Sequence, residues 1–323
     1  MKVFKHFIFM TSMLILLLVF FYSIFAFNFK MIYMDREYPM WLIVKNNINK
    51  KLKRTHDLLA IGDSKLVAGF MPNLSEKDVI NLSVSGGTPI EGYYTLKKYL
   101  ANHPVPPHKI LLSYAPFHLE GIEAYWQRTV KFSFLNDADY REIRDIAISI
   151  NDSKTLGYEH SYLDYKYPQI YFMNVLNGII HMRWRKNNEV YKEFTHSKGH
   201  YFFGRKPSSS ELNADINKEN FKPNKLIDLY LKNLLTLANN NNITIYWYTM
   251  PINKSSFDQT TKNFIDQFDN YIGKLSKEYN IIQLNNLNYM ADENFGDYNH
   301  LYNGSHTVTN NILNSIYYDN GNK

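Results

Sequence analysis

Read for apolar and polar positions, the chain falls into three regimes. The first is one unbroken block. Phe7 to Phe27 carries no charge and is almost entirely Phe, Leu, Ile, Val and Met. A helix over it would be about 30 Å long at ~1.5 Å per residue, enough to cross a bilayer core. Lys2, Lys5 and His6 precede the block, and Lys30 and Arg36 follow it. A cleaved signal peptide would have a shorter apolar region ending in small residues, and Phe25-Ala26-Phe27-Asn28 does not supply them. The expectation is an uncleaved, single-pass anchor over residues 1–29 in the cytoplasmic membrane, with the rest of the chain on the outer face.

The second regime alternates short apolar runs with amphipathic helical periods, the pattern of an α/β protein with a parallel sheet. Strands are predicted at 57–61, 79–82, 109–114, 243–248 and 281–284. Between the second and third, Thr88, Pro89 and Glu91 form a capping box with proline at the first helical position, which predicts a helix over 89–101. Further helices are predicted at 224–239, 257–278 and 304–318. Strand, helix and strand at this spacing imply right-handed parallel crossovers. Residues 30–56 read as a polar, aromatic-spotted juxtamembrane connection with no strong period.

The third regime, 120–223, lacks clean alternation and is dense in aromatics: Tyr125, Trp126, Phe132, Phe134, Tyr158, Tyr162, Tyr165, Tyr167, Tyr171, Phe172 and Trp184. It reads as a mainly helical insertion between two halves, 57–119 and 224–323, of one α/β domain. Its last part, Ser197 to Pro223, carries Gly199, Gly204, Pro207 and three consecutive serines, and is expected to be a mobile loop. Packing, rather than sugar binding, is the ordinary role for such aromatics, although an insertion over the sheet edge would wall a cleft there.

Composition narrows the function classes. The 323 residues contain no cysteine, which excludes disulfides, thiolate metal sites and cysteine nucleophiles. The net charge is +6, but the Lys and Arg residues are scattered. The one basic cluster, Lys50-Lys51-Lys53-Arg54, reads as juxtamembrane and not as a nucleic-acid surface.

The candidate chemistry sits at the ends of the apolar runs. Leu58-Leu59-Ala60-Ile61 runs directly into Gly62-Asp63-Ser64. In open α/β sheets ligands bind at the C-terminal strand edge, so a serine there, after a glycine that permits a sharp turn, is a candidate nucleophile. A plain strand exit uses the same residue types. Near the other end, Asp297 and His300 stand three apart in a loop before the closing helix. A neutral imidazole is the usual acceptor of a serine proton near pH 7, and it works best with a carboxylate on its other nitrogen. The Ser-Gly-Gly loop before Thr88 leads into a helix N-terminus at the same sheet edge, an anion-friendly position. A metal site built from His300, His306 and Asp297 lacks a His-x-His or Glu-x-x-His helix face. No metal and no cofactor is expected.

Together these blocks resemble the SGNH (GDSL-type) hydrolases, a family with a flavodoxin-like α/β/α sandwich. Gly62-Asp63-Ser64 is similar to the family's first block and Asn81-Leu82-Ser83-Val84-Ser85-Gly86 to its second. Asp297-Tyr298-Asn299-His300 is similar to its last. The resemblance implies Ser64 as nucleophile, His300 as base and Asp297 as the group orienting it. It implies oxyanion donors at the backbone N–H groups of Ser64 and Ser83, the latter where the family usually has glycine. Asp63, Ser85, Gly86 and Ser113 are the implied substrate contacts. One block departs: the family's Gly-x-Asn-Asp is replaced by Ser113-Tyr114-Ala115-Pro116, with no Asn to donate. Loss of one such donor typically costs about 2.7–4 kcal/mol of transition-state stabilisation.

With the N-terminal span, the pattern looks most like the membrane-anchored branch, which includes polysaccharide O-acetyltransferases and D-alanyl-transfer proteins. That likeness implies a serine O-acyltransferase or esterase acting on a cell-envelope polysaccharide with an acyl donor, often beside a multi-span membrane acyltransferase. The rival expectation is a non-catalytic polysaccharide-binding or assembly protein on the same scaffold.

Overall fold

In the computed structural model, residues 2–51, 55–122, 124–157, 165–206, 208–212 and 219–318 are described. Lys53, Arg54, Tyr158, Tyr162 and Pro207, named above, lie outside them.

The apolar block is one helix, α1 (Lys2–Asn28), long and apolar enough to cross a membrane and with almost every side chain exposed. A turn at Met31–Tyr33 leads to α2 (Tyr38–Asn49). This second helix departs from the expectation of an unstructured connection. Trp41, Val44 and Ile48 recur at helical spacing and are buried against the domain. The intervening Asn46, Asn47 and Lys45 dilute that period in the sequence.

The sheet is built from β1 (Leu58–Gly62), β2 (Val79–Asn81), β3 (Lys109–Ser113), β4 (Thr244–Trp247) and the short edge strand β6 (Ile282–Gln283). Its order is β2-β1-β3-β4-β6, and every pairing is parallel. The chain therefore runs outward in one direction from β1 and in the other from β3, leaving a crevice at the C-terminal ends of these two strands. A separate ladder pairs β5 (Ile252–Asn253) with β7 (Tyr289–Met290).

Strand residues alternate between two buried faces. Leu59, Ile61, Ile110, Leu112, Ile245 and Trp247 join one core, and Leu58, Ala60, Leu111 and Tyr246 join the other. The short α3 (Ser64–Gly69) belongs to the second face. The first is covered by α4 (Pro89–Asn102), whose capping box is formed as the sequence predicts. After α5 (Pro116–Glu120) the chain enters the insertion: a π-helical turn at Tyr125–Val130, α6 (Asp137–Ser149), α7 (Phe172–Ile180) and α8 (Arg183–His196). The sheet domain resumes with α9 (Lys225–Asn240), which packs beside α4 and is capped by Asn224. α10 (Lys254–Phe257) and α11 (Lys262–Tyr279) follow. The closing helix α12 (Ser305–Tyr317) lies on the α3 side. This is an α/β protein with a parallel sheet covered on both faces.

Within the loop expected over 197–223, the first residues are held to the sheet domain. The N–H of Asn81 donates to the Lys198 carbonyl at 2.9 Å, and that of Tyr201 to the Val67 carbonyl at 3.2 Å. Gly199, at φ +98°, lies so close to β2 that an added Cβ would stand 1.9 Å from the Asn81 carbonyl oxygen. Residues 198–201 are thus strapped across the sheet domain by backbone contacts, which glycine permits and hydropathy patterning does not reveal.

Candidate active site

β1 delivers the first element. Its five residues are wholly buried, and Gly62 is required by close approach, because a Cβ there would stand 2.0 Å from the Ser113 carbonyl oxygen of β3. The next residue, Asp63, caps α3 by accepting from the Lys65 N–H at 2.9 Å. Ser64 is then the first helical residue and projects at the β1–β3 crevice.

The second element is a closed turn. Phe295 and Leu301 form an antiparallel bridge, both buried, and the Gly296 N–H donates to the His300 carbonyl at 2.9 Å. Within it Asp297 Oδ1 accepts from the backbone N–H groups of Asn299 (2.8 Å) and His300 (2.7 Å). The carboxylate thereby shapes the loop that carries its own partner. α12 fixes this loop to α3: Ser305 Oγ donates to the Ala68 carbonyl at 2.8 Å, and Thr309 Oγ1 accepts from the Met71 N–H at 2.9 Å.

The two elements meet. Ser64 Oγ lies 2.9 Å from His300 Nε2, across 236 residues of sequence. His300 Nδ1 lies 2.9 and 3.0 Å from the two oxygens of Asp297. An ionised carboxylate only accepts, so the proton of a neutral ring belongs on Nδ1, leaving Nε2 to accept from the serine hydroxyl. Burial pushes the Asp297 carboxyl up. The His300 side chain, together with the Asn299 and His300 N–H groups, outweighs this and holds it below the usual carboxylate range. The carboxylate is therefore available to stabilise an imidazolium.

Other side chains complete the surroundings. The Phe203 ring lies against the imidazole, with centroids 4.5 Å apart. It is brought there by a tight backbone crossing, since an added Cβ on Gly204 would lie 2.3 Å from the Gly296 carbonyl oxygen. His200, within the 198–201 strap, is buried with Nε2 3.1 Å from the Ala68 carbonyl oxygen. Burial lowers its pKa to about 4. Neither Phe203 nor His200 stands out in the sequence. The signal available there is the pair Gly199 and Gly204 around an aromatic run.

Asp63 serves the scaffold. It has no exposed surface, and its Oδ2 accepts from the Ala115 N–H at 2.7 Å and pairs with His118 Nδ1 at 2.8 Å. Burial raises its carboxyl, but His118, the Ala115 N–H and the charge of Lys65 bring it below the usual range. Ser113 is also buried, its carbonyl pressed on Gly62. Neither residue presents a side chain to a bound molecule, so the structure does not place these two expected contacts at an open surface.

The oxyanion expectation changes in detail. The Ser83 N–H donates to Asn81 Oδ1 at 3.0 Å, so that donor is engaged within the protein. Asn81 Nδ2 in turn donates to the Leu66 carbonyl at 2.9 Å, tying this loop to α3. The backbone N–H groups of Ser85 and Gly86 make no hydrogen bond among the described residues. They belong to the loop beside the end of β1, where the Val84 N–H reaches the Gly62 carbonyl at 3.2 Å. Gly86 takes φ +68° and leaves room for the Arg128 guanidinium, which a Cβ would strike at 2.1 Å.

Among the described residues no three His, Asp or Glu side chains are grouped to hold a metal ion. His306 is exposed and turned to Asn310 at 3.1 Å. Neither the protein-family models nor the curated proteins contain a match to this chain.

Proposed function

We propose that the chain is a serine acyl-transfer enzyme, an O-acyltransferase or esterase of SGNH type, acting on a cell-envelope polysaccharide. α1 would hold it in the cytoplasmic membrane with the α/β body on the outer face, next to a multi-span acyltransferase supplying the acyl donor. The observation that carries this reading is the 2.9 Å contact between Ser64 Oγ and His300 Nε2, backed by Asp297 on the opposite ring nitrogen.

In the reaction, Ser64 Oγ attacks the acyl carbonyl carbon as His300 Nε2 takes its proton. Asp297 stabilises the imidazolium that forms. The tetrahedral intermediate collapses, the leaving oxygen takes the proton from His300, and the acyl group remains on Ser64. Water or a polymer hydroxyl then repeats the sequence in reverse. The oxyanion would be met by the Ser64 N–H at the first helical position, which lacks an intrahelical acceptor, and by the Ser85 and Gly86 N–H groups.

Ser64→Ala should lower ester hydrolysis or acyl transfer by about 10⁴-fold or more and abolish covalent labelling by a fluorophosphonate, with the circular dichroism spectrum unchanged. Turnover that survives the substitution removes the assignment. Two observations favour a second reading, a non-catalytic polysaccharide-binding module. The Ser83 N–H is occupied, and no Asn stands at 113–116. Polysaccharide binding with no fluorophosphonate labelling of Ser64 would establish it.

A further inference from the structure

α7 is short, and its outward side is unlike the surface of a water-soluble domain. At ~100° per residue, Phe172, Met173, Leu176, Ile179 and Ile180 fall in one arc of about 120°. Phe172, Met173 and Ile180 are 57%, 60% and 62% exposed. Val175 and Gly178 form the opposite side and are buried. Ile170, Met182 and Trp184 extend the apolar surface at both ends of the helix, and all three are exposed. Exposed apolar surface of this extent marks a contact with something other than water.

The position of this patch identifies its occupant. The Tyr22 hydroxyl of α1 donates to the Ile170 carbonyl at 3.0 Å, and its ring meets that of Phe172 with centroids 6.2 Å apart. Phe27 packs on Tyr167 at 5.8 Å. Tyr22 is five residues before Phe27, the end of the charge-free block. Phe172 therefore lies level with a point about 7–8 Å inside that block at ~1.5 Å per residue. If α1 spans a bilayer, the end of α7 is at the depth where interfacial helices bury their apolar faces, about 5–10 Å into the headgroup and acyl boundary.

α7 is seated by close contacts, and its borders suit an interface. An added Cβ on Gly178 would stand 2.4 Å from the Tyr33 carbonyl oxygen, so α7 packs directly on the turn that leaves α1. Asn187 Nδ2 of α8 donates to the Ile32 and Asp35 carbonyls at 2.5 and 2.7 Å. Trp184 and the cations Arg183, Arg185 and Lys186 follow the apolar arc, with the Arg185 guanidinium 5.5 Å from the Trp184 ring. Aromatic and basic side chains in this order are those that settle at headgroup level.

We infer that the α7 patch is a second membrane contact, its apolar arc immersed in the same leaflet of the phospholipid bilayer that α1 leaves. The contact fixes the orientation of the α/β body on the bilayer. A single helix would leave it free to swivel. The inference rests on α1 being a membrane span, and the test separates the two.

The chain has no cysteine, so single-site labelling is clean. Full-length Phe172→Cys, Ile180→Cys, Leu16→Cys and Lys277→Cys are labelled with an environment-sensitive fluorophore and placed in phosphatidylglycerol–phosphatidylethanolamine nanodiscs. Spin-labelled lipid with its nitroxide near the headgroup should quench the labels at 172 and 180, as expected at interfacial depth. Lipid with its nitroxide far down the acyl chain should quench the label at Leu16, about 16 Å inside the block at ~1.5 Å per residue. The Lys277 label, on the exposed side of α11, should respond only to aqueous iodide. If the 172 and 180 labels respond to iodide alone, or to neither quencher as beneath a protein partner, while Leu16 responds to lipid, the α7 contact is refuted and the anchor stands. If Leu16 also escapes lipid, the anchor reading and the contact that depends on it both fall.

Discussion

Two Asp–His pairs stand beside Ser64, similar in contact distance and different in burial and in what they hold. Asp63 and His118 are 2.8 Å apart with side chains 0% and 1% exposed; Asp297 and His300 are 2.9 Å apart and 27% and 15% exposed. Asp63 divides its oxygens among Lys65, Ala115 and His118, and so locks the end of β1 to the start of α5. Asp297 shapes only its own turn, and its imidazole presents the second nitrogen to Ser64. Burial, and the serine hydroxyl that meets the second ring nitrogen of His300, not the Asp–His contact itself, mark the candidate catalytic pair.

That contrast predicts opposite phenotypes. The largest effect belongs to Asp297→Asn, which reverses the favoured imidazole tautomer and should cut acyl-transfer kcat by about 10⁴-fold. Its urea midpoint should stay close to wild type, because an Asn Oδ1 can still accept from the Asn299 and His300 N–H groups. Steady-state kinetics alongside urea unfolding checks both halves; full activity in the D297N variant would strip His300 of its assigned role.

Next in size is His118→Phe, which removes a partner from a wholly buried carboxylate. Breaking a buried pair in this way costs about 3–5 kcal/mol. The kcat of the fraction that remains folded should stay near wild type. Equal losses of kcat in the two variants, with stability untouched in both, would erase the distinction.

The smallest expected effect comes from His200, a buried imidazole whose ring nitrogen meets a backbone carbonyl in place of a carboxylate. Its pKa falls from 6.5 to about 4 on folding because burial disfavours the charged ring. The unfolded chain therefore binds the proton first as pH drops. Stability from this group is fully present above about pH 6.5 and is lost progressively down to about pH 4. The total is about 3 kcal/mol at ~1.4 kcal/mol per unit of pKa. His200→Gln should flatten that stretch of the stability profile while leaving the Asp297–His300 pair unaffected. An unaltered slope would mean that His200 is not the titrating group.

Legibility in the sequence followed the range of the interactions involved. The strand ending in Gly62-Asp63-Ser64, the capping box at Thr88 and Glu91, and the Asp297–His300 spacing each concern residues a few positions apart, and each was readable. The burial of Asp63 was not, because it depends on Ala115 and His118, more than fifty positions away. Phe203 and His200 lie in a stretch whose glycines signal a loose loop. Those glycines instead permit backbone contact at Asn81 and Gly296. α2 was hidden because amides and a lysine fill three of its non-buried positions. The Ser83 N–H looks available in the sequence, but the Asn81 side chain turns back onto it.

By itself, then, the amino-acid sequence determined the long N-terminal apolar helix, the alternation that makes a parallel α/β sheet, and the three side chains Ser64, Asp297 and His300. All of these are set by local periodicity and spacing. Only the tertiary structure decided that Ser64 and His300 share one crevice, that Asp63 is sealed away from it, and that α7 lies level with the inside of α1. These are matters of which distant surfaces become neighbours, and that is settled by burying both faces of one sheet and by the few glycines that let backbones touch.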